Sequence, residues 1–351
     1  MLSEGEVLRE SLRTAIEARP DERGIVELLF LVSALRALTE RHWIMSRSRD
    51  FGPGDFDAFV ARALGRELAP LAFLKDWLGP ELGVARLKVL SAAAKALSKD
   101  LVARSRSSDR PAFRAFLRGS VRAMTEICVF EESFASVRGE DVLPPSAYRA
   151  FDAFDEILGL RFETDRGMKP DLASGERLYV EGGAGVQTSY SSILSALENF
   201  ALPPGGHLVD LGSGFGRVGL IAGLWREDLR FTGYEYVGHR VRVASDSAAS
   251  AGHATRVRFF EQDLADPDFR IPLADAYYMY DPFCASTYER VLRQLNAYSR
   301  DHAFTVITKA DAGTWLAKLQ SEGAWAEAGA CDLGLLRVFR SKPRLDASPL
   351  S

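Results

Sequence analysis

Cysteine is scarce in this chain: Cys128, Cys284 and Cys331 are its three thiols in 351 residues, and they stand far apart. An odd, scattered set excludes a disulfide framework and a clustered zinc site. It suits a reducing compartment, where cysteine packs as a small hydrophobe. Long apolar runs are missing too. The most hydrophobic early stretch, Val26–Leu38, is interrupted by Glu27 and Arg36, and it falls short of the ~20 apolar residues that span a bilayer. No membrane partner is expected. The charged start MLSEGEVLRE lacks the apolar core of a secretory leader, so the expected setting is cytoplasmic. Neither charge sign dominates: 44 Lys+Arg against 48 Asp+Glu leave a net −4. That balance disfavours a protein that coats nucleic acid through its overall field. None of the five histidines has metal-ligand spacing, and no metal is expected.

What is present divides into two halves. At ~100–200 residues per domain, the length suggests two domains. Residues 1–170 read as an all-helical N-terminal domain, with Leu and Ala at three- and four-residue spacing through Val26–Leu38, Phe59–Leu68, Leu87–Leu101 and Phe113–Phe130. Ser3 followed by Glu6 predicts a capping box. Charge balances in this half, with 26 basic and 26 acidic residues, but Val84–Met124 holds ten Lys/Arg against only Asp100 and Asp109. That run is either a solvated helix face or a contact for an acidic partner. Its only aromatics, Phe113 and Phe116, do not make the interleaving typical of single-strand binding.

A loop-like stretch, Asp165–Gly185, holds five glycines and one proline and separates the halves. Beyond it, residues 171–345 alternate short β-rich runs (HLVDLG, FTGYEYV, VRFFEQD, AYYMYDPF, AFTVITK, LLRVFRS) with helical ones at Val218–Trp225, Arg240–Ala251, Thr287–Tyr298 and Ala312–Leu319. This is the pattern of an α/β domain with a doubly wound, mostly parallel sheet.

The first of these strands enters a glycine-rich turn, with Asp210 near its end and Gly212, Gly214 and Gly216 after it. Glycines there let backbone approach a ligand and turn sharply. Glu235 ends the next strand, where an acid accepts hydrogen bonds from ribose hydroxyls. Two cofactors compete. Gly214, Gly216 and Gly219 satisfy the dinucleotide spacing, which would suit an NAD-dependent oxidoreductase. Asp210 opposes it, because a carboxylate there repels a pyrophosphate and suits a cationic ligand bearing an amino group and a sulfonium. The loop therefore favours S-adenosylmethionine.

Over about residues 178–340 the sequence resembles the class I (Rossmann-like) S-adenosylmethionine-dependent methyltransferases. Asp210 with Gly212, Gly214 and Gly216 stands at that family's first motif, and Glu235 at its ribose-binding acid. Gln262 and Asp263 stand at its third motif, near the adenine, and Tyr280-Asp281-Pro282-Phe283 at its fourth. The resemblance implies that Thr188 and Tyr190, ahead of the first strand, close over the methionine end of the cofactor. It implies that Asp281 orients the methyl acceptor, with Pro282 and Phe283 against the substrate. Enzymes that methylate amino groups of nucleic acids carry [Asn/Asp]-Pro-Pro-[Tyr/Phe] at this point, and this chain is one proline short.

The expected function is methyl transfer to a nitrogen nucleophile on a protein side chain or small molecule, with the helical half covering the acceptor or recognising it. Three alternatives stay open: a nucleic-acid methyltransferase using the basic 84–124 run, a non-catalytic module that binds S-adenosylmethionine, and the NAD-dependent oxidoreductase. Tyr277, Tyr278 and Trp225 read as packing residues, and Cys284 as a buried, inert thiol.

Overall fold

A computed structural model of the chain describes residues 3–17, 22–52, 54–65, 72–78, 84–106, 110–136, 151, 154–165, 168, 187–280, 282–309, 316, 325–331 and 336–341. The chain forms two compact units, Met1–Ile157 with Ser189–Ser191, and Leu158–Thr188 with Ser192–Ser351.

The first unit is helical throughout its described residues: α1 (Glu4–Glu17), α2 (Glu22–Met45), α3 (Asp55–Gly65), α4 (Leu74–Leu78), α5 (Val84–Arg106), α6 (Arg110–Ser136) and α7 (Phe154–Leu158), which ends at the division. The capping box at α1 forms as the sequence predicts. Glu6 N–H donates to Ser3 Oγ at 3.3 Å, and Ser3 N–H donates to Glu6 Oε2 at 2.7 Å. Helix α2 is the centre of the unit and packs against α1, α5 and α6. Its Val26, Leu28, Leu29, Leu31, Leu35 and Leu38 are all buried, so the apolar Val26–Leu38 run is a core helix.

The second unit is a seven-stranded sheet in the order β3-β2-β1-β4-β5-β7-β6. Helix α8 (Tyr190–Asn199) precedes β1 (His207–Leu211). Then follow α9 (Arg217–Trp225), β2 (Arg230–Glu235), α10 (Gly238–Ser250), β3 (Val257–Glu261), β4 (Ala276–Tyr280), α11 (Ala285–Tyr298), β5 (Thr305–Lys309), β6 (Trp325–Cys331) and β7 (Leu336–Ser341). Strands β1 to β5 pair in parallel, while β7 runs antiparallel to β5, and β6 antiparallel to β7. Strand β6 has no signature in the sequence pattern. Its WAEAGAC is rich in small residues of low strand propensity, and it is held by pairing with β7 across a register shift between Trp325 and Glu327. The expected helix at 312–319 lies outside the described residues except Leu316, and so does the end of the expected Phe59–Leu68 helix beyond Gly65.

One sheet face carries Val209, Leu211, Tyr277, Met279, Val306 and Phe339, packed against Tyr288, Val291, Leu292 and Leu295 of α11. The other bears Phe231 and Phe259, whose rings lie 5.5 Å apart beneath α9 and α10. The order reverses between β1 and β4. Chain leaving β1 turns toward β2 and chain leaving β4 turns toward β5, which opens a crevice at the carboxyl ends of β1 and β4.

Tyr277 shows how tightly the core polar atoms are matched. Its hydroxyl accepts from Ala274 N–H at 3.0 Å and donates to the Pro272 carbonyl at 2.9 Å, and burial pushes its phenol above the ordinary range. It is a core residue, as expected. Tyr277→Phe keeps the ring and orphans both partners, so chemical denaturation should show a loss of about 1–3 kcal/mol.

Candidate functional site

The residues singled out in the sequence meet at the carboxyl edge of the sheet. The loop after β1 is pinned to β2, because Gly212 N–H and Ser213 N–H both donate to the Tyr234 carbonyl, at 3.0 and 2.8 Å. Gly212 has φ +96°, and a Cβ there would come within 2.3 Å of Pro282 Cβ. Pro282, just after β4, thus fills the crevice at the strand reversal, and only glycine accommodates it. Gly216 has φ +84°, and a Cβ on it would meet Phe259 at 2.6 Å and Ala244 at 2.7 Å. That glycine lets α9 start directly against the sheet.

Glu235, buried at the tip of β2, closes the loop from the other side. Its Oε2 accepts from Gly214 N–H at 2.8 Å, and its Oε1 accepts from Val237 N–H at 3.0 Å. Burial raises its pKa above the ordinary value, against the opposing pull of Arg240 and those two N–H groups. Arg240, on α10, lies 3.7 Å from Glu235 Oε1. Its Nε and Nη2 also donate to the two oxygens of buried Asp165 at 3.1 and 2.8 Å. His239 Nε2 lies 2.5 Å from the same carboxylate. Asp165, which the sequence presents as the start of a linker, is therefore a structural anion. The short 3-10 turn that carries it, Phe162–Asp165, also sets Phe162 edge-on to Phe215 of the loop at 4.7 Å. Arg217, 1% exposed, donates through Nη1 to the Thr188 carbonyl at 2.7 Å. Asp165, Arg217 and Arg240 are the site-supporting residues that motif reasoning misses.

Asp210 faces the same side of the sheet as Gly233 and Tyr278, its register partners on β2 and β4. It is 2% exposed, and among the described residues no group donates a hydrogen bond to its carboxyl. Burial, then the nearby Glu235, push its pKa well above the ordinary carboxylate value. Two carboxyls thus sit in the wall of one crevice, and among the described residues only Glu235 has a cation near it.

The remaining expected residues distribute as follows. Gln262 joins the site through its N–H, which donates to the Glu235 carbonyl at 2.9 Å. Its neighbour Asp263 accepts from Ala265 N–H at 2.8 Å, which rigidifies the chain after β3. The Thr188 hydroxyl pairs with the Tyr278 hydroxyl at 2.9 Å in a buried contact. Tyr190 is engaged elsewhere: its hydroxyl donates to Asp155 at 2.5 Å and its ring stands edge-on to Phe154, all within the first unit. Phe283 corrects the sequence expectation. It is fully buried, 5.1 Å from the Tyr288 ring, and offers no face to a substrate, because the chain turns it inward under α11. Asp281 lies outside the described residues. Cys284 is the second correction. It is half-buried at the start of α11 rather than sealed. Although burial raises its thiol, hydrogen bonds with Ser286 and Thr287 outweigh that and leave it below the ordinary value. The described residues contain no cluster of metal-ligating side chains and no helix long and apolar enough to cross a membrane.

No protein-family model matches the chain, and no curated protein matches it in sequence. Solved structures resemble part of it. TrmN from Thermus thermophilus is 19% identical over 43% of this chain, with TM-score 0.36; the match spans 48% of TrmN, about half its length. An RNA methyltransferase from Salinibacter ruber, in complex with S-adenosyl-L-homocysteine, is 24% identical over 47% of this chain and 99% of its own, with TM-score 0.35. A precorrin-6y C5,15-methyltransferase from Geobacter metallireducens is 12% identical over 46% of this chain and 92% of its own, with TM-score 0.38.

Arg240 holds two buried carboxyls at once, so its removal should be costly. Arg240→Met is expected to lose about 3–5 kcal/mol at neutral pH. The deficit should shrink as pH falls and Glu235, whose pKa burial raises, protonates, which denaturation measured at pH 7 and pH 4.5 would read. The reversal at β1 and β4, the antiparallel β7 and the glycine loop together identify the second unit as having the class I (Rossmann-like) S-adenosylmethionine-dependent methyltransferase fold.

Proposed function

We propose that the protein transfers a methyl group from S-adenosylmethionine to a nitrogen nucleophile. The observation that carries this reading is the buried carboxyl of Asp210, which has no hydrogen-bond donor among the described residues, beside a glycine loop at the strand reversal. A dinucleotide would bring its pyrophosphate to that loop, against the Asp210 carboxylate, and the repulsion argues against NAD. A ligand with a sulfonium and an amino group instead supplies the positive charge and the donors that Asp210 lacks.

The residues present fit such a ligand. Glu235 keeps free lone pairs on both oxygens after binding Gly214 and Val237, and these would accept ribose hydroxyls. The chain at Gln262 and Asp263 would line the adenine, and Thr188 would border the methionine end. S-Adenosylmethionine supplies, when bound, an electrophilic methyl on a sulfonium. The protein's part is alignment and proton removal. Asp281, between Tyr280 at the end of β4 and Pro282 on Gly212, would orient the acceptor amine and take its proton. A protein side chain or a small molecule is the acceptor class we favour, since the motif lacks the second proline of nucleic-acid amino methyltransferases. The helical unit would recognise or cover that acceptor.

Calorimetry should show S-adenosylmethionine binding and no NAD binding. Glu235→Ala should weaken it by about 10- to 100-fold, the equivalent of one charge-assisted interaction of about 1.5–3 kcal/mol. Binding of NAD alone would sink the assignment. Labelled S-adenosylmethionine added with fractionated cell extract should label a protein or small-molecule fraction. Asp281→Ala should cut that labelling by about 10²-fold or more while cofactor binding persists.

The raised pKa of Asp210 gives a second reading of the same site. A group whose folded value lies above its unfolded value stabilises fully below the unfolded carboxylate range, and that contribution is lost as pH rises through the folded value. Asp210→Asn cannot ionise, so thermal melts at pH 7–8 should show a higher Tm, by about 2–4 °C for each kcal/mol gained. The same variant should bind S-adenosylmethionine more weakly. Wild-type binding should release protons, because a cationic ligand favours the ionised carboxylate. Affinity should therefore rise with pH until Asp210 is ionised in the free protein. Proton uptake on binding would contradict this placement of charge.

A further inference from the structure

We propose that helix α6 of the first unit is a docking surface for a nucleic-acid backbone. Arg110, Arg114, Arg118 and Arg122 follow one another at intervals of four along α6. Four residues advance about 6 Å along a helix, so the exposed pair Arg114 and Arg122 stands about 12 Å apart along α6, a spacing suited to every second phosphate of one strand. Arg114 and Arg122 are exposed and Arg118 half-buried. Among the described residues, neither Arg114 nor Arg122 has a carboxylate partner.

This ladder costs stability in the free protein. Like charges four apart on a helix repel by about 0.2–0.5 kcal/mol a pair. The first turn of α6 holds no acid, so Arg110 and Arg114 also stand at the end where the helix dipole disfavours cations. No acidic residue occurs from Arg110 to Thr125. On α5, Lys88, Lys95 and Lys99 are exposed along one stripe, again without a carboxylate partner among the described residues. Asp100, the one acid on that helix, is taken by Arg9. Arg114 and Arg122 on α6 and Lys88, Lys95 and Lys99 on α5 are thus exposed with no carboxylate partner among the described residues, a surface suited to an external polyanion. The planar forks of arginine favour phosphate, which they bind bidentately. The aromatics interleaved there, Phe113 and Phe116, are half-buried and stack on each other at 6.4 Å, so binding is expected to track the backbone through the arginines and to ignore sequence. This surface does not depend on the methyl-transfer reading, and its test needs no cofactor.

Fluorescence anisotropy with the full-length protein and two labelled probes of about 20 nucleotides, a mixed-sequence single-stranded RNA and a DNA duplex, measures the interaction across a salt series. Binding of either probe is expected to weaken linearly in log–log form. The double variant R114Q/R122Q should bind at least ~10-fold more weakly, and its salt slope on single strands should fall by about 1.4, or about 0.7 for each phosphate no longer neutralised. Its Tm should stay level or rise, since repulsion is relieved. The exposed Arg300→Gln, in the other unit, should bind as wild type. The steeper loss on one probe tells which nucleic acid the surface prefers. Absence of binding at about 50 mM salt, equal binding by R114Q/R122Q, or binding of poly-glutamate in place of both nucleic acids would overturn the proposal; the last would reassign the surface to an acidic protein.

Discussion

The two N–H donors that grip Glu235 decide the architecture of the site. Gly214 sits in the loop after β1 and Val237 at the entry to α10, and one carboxylate joins them. Removing that anion would release the glycine loop from the second strand at the point where the loop must hold its shape. The carboxylate is buried, so it needs a counter-charge, and Arg240 provides it while also binding Asp165. A chain of charges, Asp165 to Arg240 to Glu235, thus runs from the segment before α8 to the glycine loop. The Asp165–Arg240 link is short at 2.8 Å, the Arg240–Glu235 link longer at 3.7 Å, and both are nearly dry, which favours a loop held in shape before any ligand arrives.

That rigidity has an electrostatic remainder. Asp210 is as buried as Glu235, yet no protein donor among the described residues serves it, and the nearby Glu235 raises its cost of ionising. A fold selected for stability alone would place an apolar or amide side chain there. The unfavourable charge makes sense as one half of a pair whose other half is the ligand. The same logic applies to the first half of α6, where arginines repeat from Arg110 to Arg122 with no acid among them and against the helix dipole. In both places the free protein keeps like charges together, and the sign of each cluster names the sign of what would meet it.

Much of this is legible in the chain. Strand-to-loop-to-helix punctuation around Asp210–Gly216 is local, so the sequence pattern reveals it, and Glu235 follows at a spacing set by one helix and one strand. The Ser3–Glu6 box is equally local. What stays hidden is what depends on distant partners. Asp165 looks like linker because its worth lies in Arg240, seventy-five residues away. Strand β6 has no β-branched residues to announce it, and only its pairing with β7 makes it a strand. Phe283 follows a plausible motif, but the direction its ring takes is set by Tyr288 on the next helix. Cys284 looks sealed in the sequence because its neighbour is apolar, whereas the start of α11 leaves it half open.

The central claim is that Glu235 and Asp210 together hold a cationic nucleoside ligand at the strand reversal. A crystal structure of the protein with S-adenosylmethionine tests it most directly. The ribose hydroxyls should lie within hydrogen-bond distance of the Glu235 carboxylate, and the ligand's amino group should face Asp210. A ligand bound elsewhere, or one whose negatively charged end lies against Asp210, would contradict it.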